Sequence, residues 1–256
     1  MSNEKFFKYC FGCPESHISG TVIVTPFFYL DSFDKFSDIA STFKGKVYSG
    51  GTLYRDGKYV TVVRCGIGDR LMGDAVLLMK ETPASKIIFI GTCGGLKDRE
   101  IGDLVLCESA FSGEGFSQYH VQNSGMDTVF DTGQMSYADD EYVGKMKEFV
   151  LGRGDEEINL NSGSIFTIGS LLAENRENLM QIEGKGFIGI DLELSAVYSA
   201  ARAIGRKAAG LLFVSDLPLK KPLGEELIPG EKKAYSDGMD KVIRYSVGFA
   251  EEEERE

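Results

Sequence analysis

Gly186-Phe-Ile-Gly-Ile-Asp-Leu-Glu193, read together with Ala208-Ala-Gly-Leu-Leu-Phe-Val-Ser-Asp216, decides the fold of this chain. The first segment puts a carboxylate, Glu193, at the start of a helix rich in small residues. The second is an apolar strand that stops at Ser215-Asp216. Two carboxylates joined by one helix and one strand suit a sugar-bearing ligand. One accepts hydrogen bonds from vicinal hydroxyls, and the other holds or delivers a proton.

Strands alternate with helices on both sides of this pair. Thr21-Val-Ile-Val-Thr25 is a short strand ending at Pro26, and Lys86-Ile-Ile-Phe-Ile90 is a continuous apolar run of the kind buried on both faces of a parallel sheet. Residues 47–54 and 58–63 read as a hairpin around Arg55-Asp-Gly57. Leu104-Val-Leu-Cys107, residues 164–168 and residues 208–214 are further strands. Helices are expected over residues 31–42, 71–80, 139–151, 176–183, 191–204 and 232–250, and the polar, glycine-rich residues 112–137 form a long loop. The pattern predicts an α/β fold in three layers, with a central mixed, largely parallel sheet flanked by helices. The 256 residues suffice for one α/β domain or two small ones. With no linker or repeat in view, a single domain over 1–256 is expected. Residues 1–18 then form an N-terminal extension and residues 251–256 a solvated acidic tail.

A net charge of −11 argues against broad nucleic-acid binding, which needs a basic surface. No apolar run approaches the roughly 18 residues that a membrane span needs, and the N-terminus lacks the apolar core of a signal peptide. Five scattered cysteines point to a reduced, cytoplasmic chain. Cys10-Phe-Gly-Cys13 has no second Cys pair or His pair to complete a metal site, so no metal is expected. Cys65-Gly-Ile-Gly68 and Gly91-Thr-Cys-Gly-Gly95 each follow a strand, where ligands gather in open α/β sheets. Neither is a Walker loop or a dinucleotide fingerprint, and both also read as tight strand–helix turns. Taken alone, Glu193 reads first as a helix-start carboxylate favoured by the dipole, and Asp216 as a turn residue after a strand.

In order along the chain, Cys65-Gly-Ile-Gly68, Ile90-Gly-Thr-Cys-Gly-Gly-Leu96 with Ile101-Gly-Asp-Leu-Val105, Gly189-Ile-Asp-Leu-Glu193 and Val214-Ser-Asp216 resemble the superfamily of purine nucleoside phosphorylases, uridine phosphorylases and nucleosidases. The resemblance covers roughly residues 20–248. It implies that Glu193 binds the ribose 2′ and 3′ hydroxyls, that Leu192 packs under the sugar, and that Asp191 joins them in the substrate site. Thr92 would contact phosphate or ribose, Gly68 would approach the sugar or phosphate through its backbone, and Phe166 and Leu171 would line the base. Asp216 would assist departure of the base as a general acid.

The implied activity is cleavage of the N-glycosidic bond of a nucleoside, expected to be a purine nucleoside, to free base and ribose 1-phosphate. That places the chain in purine salvage with inorganic phosphate as co-substrate and no cofactor. The expected assembly is a homo-oligomer, either a dimer or a hexamer. The alternatives are a nucleosidase that uses water, or a homologue that binds without turnover.

The sequence departs from the family where phosphate is held. Pro26-Phe-Phe-Tyr-Leu-Asp-Ser32 replaces the Gly-Asp-x-x-Arg loop, Phe89 stands at a second arginine position, and Leu217 stands at a third. Arg64, with Lys44 or Lys46, is the available substitute. The glutamate that activates water in the nucleosidases is also missing after Thr25-Pro26, the nearest acid being Asp31. His17 and His120 are the two histidines offered for the site, and Phe27, Phe28 and Tyr29 are expected to line an enlarged apolar pocket or the core.

Overall fold

The run that begins at Lys86 does not turn at its glycines; it continues as a single strand through Gly95. A computed structural model describes residues 3–114, 133–153 and 158–254. Along it lie α1 (Asn3–Phe11), β1 (Thr21–Thr25), β2 (Asp38–Lys44), β3 (Ser49–Arg55), β4 (Lys58–Arg64), α2 (Asp69–Leu78), β5 (Lys86–Gly95), β6 (Leu104–Gly113), β7 (Met135–Tyr137) and α3 (Asp140–Gly152). There follow β8 (Leu160–Ile168), α4 (Arg176–Gly184), β9 (Gly189–Asp191), α5 (Leu194–Ala203), β10 (Lys207–Asp216) and α6 (Pro229–Glu253).

One large sheet joins the strands, with helices packed against it. Strand β5 is its pivot. On one side it pairs with β10, which pairs with β6, then β8, then β9, and β9 returns to β5, so five strands close a circuit. On the other side the sheet runs outward as β1-β4-β3-β2. The sheet is mixed, as expected. Most central pairings are parallel (β1–β4, β1–β5, β5–β10, β6–β8 and β8–β9), while β6–β10 and β5–β9 within the circuit, the β2-β3-β4 wing and β7 are antiparallel. Short connections permit only antiparallel neighbours, which is why the wing departs from the parallel centre.

Several expectations need correction. Residues 31–42 are not a helix; a 3₁₀ turn at Leu30–Phe33 leads into the edge strand β2. The segment Asp-Ile-Ala-Ser-Thr-Phe-Lys carries no helical apolar stripe, and pairing with β3 satisfies its backbone. Residues 91–95 are strand because β10 and β9 bond to them from either side. The helix expected from Asp191 starts at Leu194, and Asp191 itself ends β9. The acidic tail is not simply solvated. Helix α6 runs through Glu253, and Glu251 and Glu253 are buried, Glu253 forming an ion pair with Lys86 at 2.8 Å. The first residues are no trailing extension either: Phe7 and Phe11 of α1 lie in the main core, their rings stacked 4.3 Å apart.

Helix α5 shows how the core dictates sequence. Leu194 through Ala201 are all buried, so the helix needs small side chains on every face. Its one large buried residue with a polar group, Tyr198, donates its hydroxyl to the Cys107 carbonyl at 2.6 Å, which offsets the cost of burying it. The same hydroxyl lies 2.9 Å from where a side chain at Gly210 would begin, so the glycine lets α5 and β10 approach closely. This packing fixes α5, and with it Glu193, against the strand that carries Asp216.

Candidate active site

Gly94 is the point on which the site is built. On β10 its partner is Asp216, and on β9 its partner is Ile190, directly before Asp191-Leu-Glu193. A Cβ at position 94 would meet Pro218 at 2.5 Å and Ile190 at 2.9 Å, so glycine lets both neighbours close in. A bulge between Val214 and Asp216 shifts the β10 register at this point. Bulges of this kind re-aim side chains, and here Asp216 turns to a cavity at the strand ends. The cavity holds about 260 Å³, and Glu193, Asp216, Asp191, Leu192, Thr92 and Leu171 all line it.

Glu193 is buried and accepts the Gly68 N–H at 2.7 Å. Gly68 has φ +110, a conformation that side-chain-bearing residues rarely adopt, and this turns its N–H toward Glu193 at the start of α2. Burial raises the Glu193 carboxyl, the charge of Asp191 raises it further, and the N–H groups of Gly68 and Leu192 offset part of the rise.

Asp191 spends its own carboxylate on structure. It accepts the Thr167 hydroxyl at 2.6 Å and the N–H groups of Glu193 at 3.0 Å and Leu194 at 2.6 Å, capping α5 and fixing the backbone of Glu193. It lines the cavity and holds the backbone of Glu193 in place. Asp191→Ala should lower the unfolding free energy by about 1–2 kcal/mol through loss of the cap. A urea midpoint equal to wild type would contradict this.

Asp216 is buried at the opposite strand end. It accepts the Ser215 hydroxyl at 2.7 Å and the Leu223 N–H. Burial nevertheless outweighs these donors and raises its carboxyl above the ordinary range. Cys93 also lines the cavity, but burial first and then the charges of Asp191 and Asp216 push its thiol far up, so it stays protonated and is no nucleophile.

The remaining expected site residues divide. Phe27 lines the cavity beside Thr92, joined by Ile67 from the turn before α2. Phe166 does not; alternation along β8 turns it away from Thr167's side, into an aromatic cluster with Phe111 at 5.3 Å and Phe187 at 5.6 Å. Arg64 and Lys44 line a separate hollow of about 330 Å³, where the Arg64 guanidinium lies 4.2 Å over the ring of Tyr29. His17 is exposed in a 3₁₀ turn and does not line the cavity. His120 lies outside the described residues, as do residues 115–132 of the long loop.

Sequence reading missed Glu174, Leu223 and Tyr235, all on the cavity wall. Tyr235 arrives only because α6 packs over β10, its ring edge-on to Phe213 at 5.0 Å, and no local motif announces that contact. Among the described residues no lysine or arginine lines the cavity, and no cluster of three or more metal-binding side chains occurs.

Glu193 and Asp216, both buried, share this cavity with apolar walls. Residues 25–243 match the family model described as the phosphorylase superfamily, and the chain belongs to that family. A DeoD-type purine nucleoside phosphorylase of Buchnera aphidicola is 27% identical over 145 residues. That match covers 56% of each chain, so just over half the relative's length is spanned. The solved purine nucleoside phosphorylase of Toxoplasma gondii in complex with immucillin-H superposes with a TM-score of 0.80 at 19% identity, over 95% of this chain and 94% of the other. The uridine phosphorylase of Vibrio fischeri ES114 gives a TM-score of 0.75 at 20% identity, over 92% and 93%. These two likenesses establish the shared fold. No helix among the described residues is long and apolar enough to cross a membrane.

Proposed function

We propose that the chain is a nucleoside phosphorylase that cleaves the N-glycosidic bond of a purine nucleoside, releasing the base and ribose 1-phosphate. The observation that carries this reading is the single cavity in which Glu193, held by Gly68, faces the same space as Asp216. Glu193 takes the ribose hydroxyls, because a carboxylate accepts two donors at once. Thr92 and Leu192 border the sugar. Asp216 stands at the base and supplies or shares the proton that lets it leave. The glycosidic carbon passes through an oxocarbenium-like state, so fixed carboxylates and sugar contacts serve better than a protein nucleophile.

Phosphate is the proposed co-substrate, with no cofactor. The unpaired cysteines, all five buried, suit a reducing compartment such as the cytoplasm. Assembly as a homo-oligomer, a dimer or a hexamer, is part of the same proposal. A second reading, hydrolysis by water, is favoured by one observation: the cavity wall holds four carboxyls (Glu174, Asp191, Glu193 and Asp216) and, among the described residues, no cation for phosphate. Release of base from a nucleoside panel, with and without phosphate, separates the two. The phosphorylase reading expects base release to need phosphate and to yield ribose 1-phosphate. Equal release without phosphate, with free ribose as product, would assign the hydrolytic reaction.

A further inference from the structure

Glu193 stands at the N-cap of α5, yet its carboxylate serves Gly68 and the cavity rather than the helix's first turn. The N–H groups at a helix start must then find other partners. Three strand ends supply them. Gly113 of β6 pairs with Ile168 of β8, and Thr167 of β8 pairs with Asp191 of β9, so Glu114, Thr167 and Asp191 arrive together at the start of α5. Asp191 takes the N–H groups of Glu193 and Leu194, and the Thr167 oxygen takes the N–H of Ser195 at 3.0 Å. Glu114, the residue directly after β6, takes the Ser195 hydroxyl at 2.6 Å.

Glu114 is a buried acid outside the cavity wall, and the proposed reaction gives it no task. Its partners Ser195 and Thr167 are fully buried at 0% exposure, so the bond is shielded from water that could replace it. A hydroxyl given to a carboxylate is among the stronger hydrogen bonds, and the start of a helix favours negative charge. Both effects offset the cost of burying Glu114. The protons run one way: Ser195 gives its hydroxyl to Glu114, and Thr167 gives its hydroxyl to Asp191 at 2.6 Å while accepting the Ser195 N–H. One chain of contacts thus joins Glu114 to the backbone of Glu193. Resting on the nucleoside reading, we propose that Glu114 is a positioning residue: by holding Ser195 it fixes the first turn of α5, and with it the place from which Glu193 reaches the ribose hydroxyls.

The placement has a signature that a loss of stability lacks. A carboxylate accepts two vicinal hydroxyls only from one depth and tilt, so a shift in the first turn of α5 weakens ligands that carry ribose. Asp216 rides on β10 and does not share the chain, so a free purine base, which meets Asp216 and not Glu193, should not sense the shift.

Glu114→Ala and Ser195→Ala cut the bond from its two sides, and the second leaves the Ser195 N–H on Thr167. Each should lower kcat/KM for a purine ribonucleoside by roughly 10–100-fold, the scale of a misplaced positioning contact. Calorimetric affinity for the nucleoside should fall as well, while affinity for the free purine base stays that of wild type. The double variant should lose no more than the worse single one, because both changes remove one interaction. Glu114→Gln keeps an acceptor oxygen for Ser195 and should recover most of the loss. Should Glu114→Ala not fold, Ser195→Ala and Glu114→Gln carry the test. Unchanged nucleoside affinity and kcat/KM in folded alanine variants, or nucleoside and base weakened alike, overturns the role of Glu114 and leaves the nucleoside reading intact. Neither binding nor cleavage of a purine nucleoside by wild type overturns the nucleoside reading and this inference together.

Discussion

Asp216→Asn should slow release of a purine base by about 10²–10⁴-fold, the range lost when a general acid is removed. Asparagine keeps the shape and can still accept the Ser215 hydroxyl and the Leu223 N–H that hold the native side chain. What it lacks is the proton. Burial raises the Asp216 carboxyl, so it retains its proton to higher pH than a free carboxylate does. Base release should therefore fall in wild type as pH rises past the raised range of the Asp216 carboxyl, and the variant should lose that limb. A nucleoside whose leaving group needs no protonation is the control. Equal impairment on both substrates would make Asp216 structural and remove it from the chemistry.

Glu193→Gln should weaken nucleoside binding and cut turnover together, with the fold unchanged. Each hydrogen bond to a charged group contributes about 1.5–3 kcal/mol, so losing the charge behind two ribose hydroxyls costs at least tenfold in affinity. The environment of Glu193 adds a second signature. Burial and the neighbouring Asp191 raise the empty-site carboxyl, favouring its protonated form. Ribose hydroxyls that donate to it favour the charged form instead, so binding should release a proton. Calorimetry in buffers of different ionisation enthalpy reads that proton directly. Wild type should show the release and the variant should not. Proton release of the same size in both would place it elsewhere, and unchanged affinity would take Glu193 out of the site.

The two segments that decided the fold also located the site, because both are short-range signals. An apolar strand ending in Ser215-Asp216 and a glutamate before a small-residue helix are legible without tertiary information. Their meeting point was half legible. Residues 91–95 read as a turn on composition alone, yet the glycines are strand residues that let Pro218 and Ile190 approach, a demand made by other parts of the chain. Asp191 read as a ligand group because a carboxylate beside Glu193 looks the same in sequence whether it faces a substrate or caps the next helix. Its three hydrogen bonds show that it also holds the start of α5. Phe166 differs from Thr167 only by strand parity, and a single-residue step moves a side chain to the other face. Tyr235 left no trace because it reaches the cavity through packing of α6, a segment remote from the motifs. The same holds for Glu253, whose burial against Lys86 turns an acidic run into an anchored helix end.

The central claim is that one cavity holds the sugar on Glu193 and the base against Asp216. The most direct measurement is a crystal structure of the protein with a purine nucleoside analogue that cannot be cleaved. The account predicts the ribose 2′ and 3′ hydroxyls within hydrogen-bonding distance of the Glu193 carboxylate, with the base edge facing Asp216 and Glu174. An analogue seated instead in the hollow of Arg64 and Lys44, or bound in the cavity with its ribose away from Glu193, would contradict it.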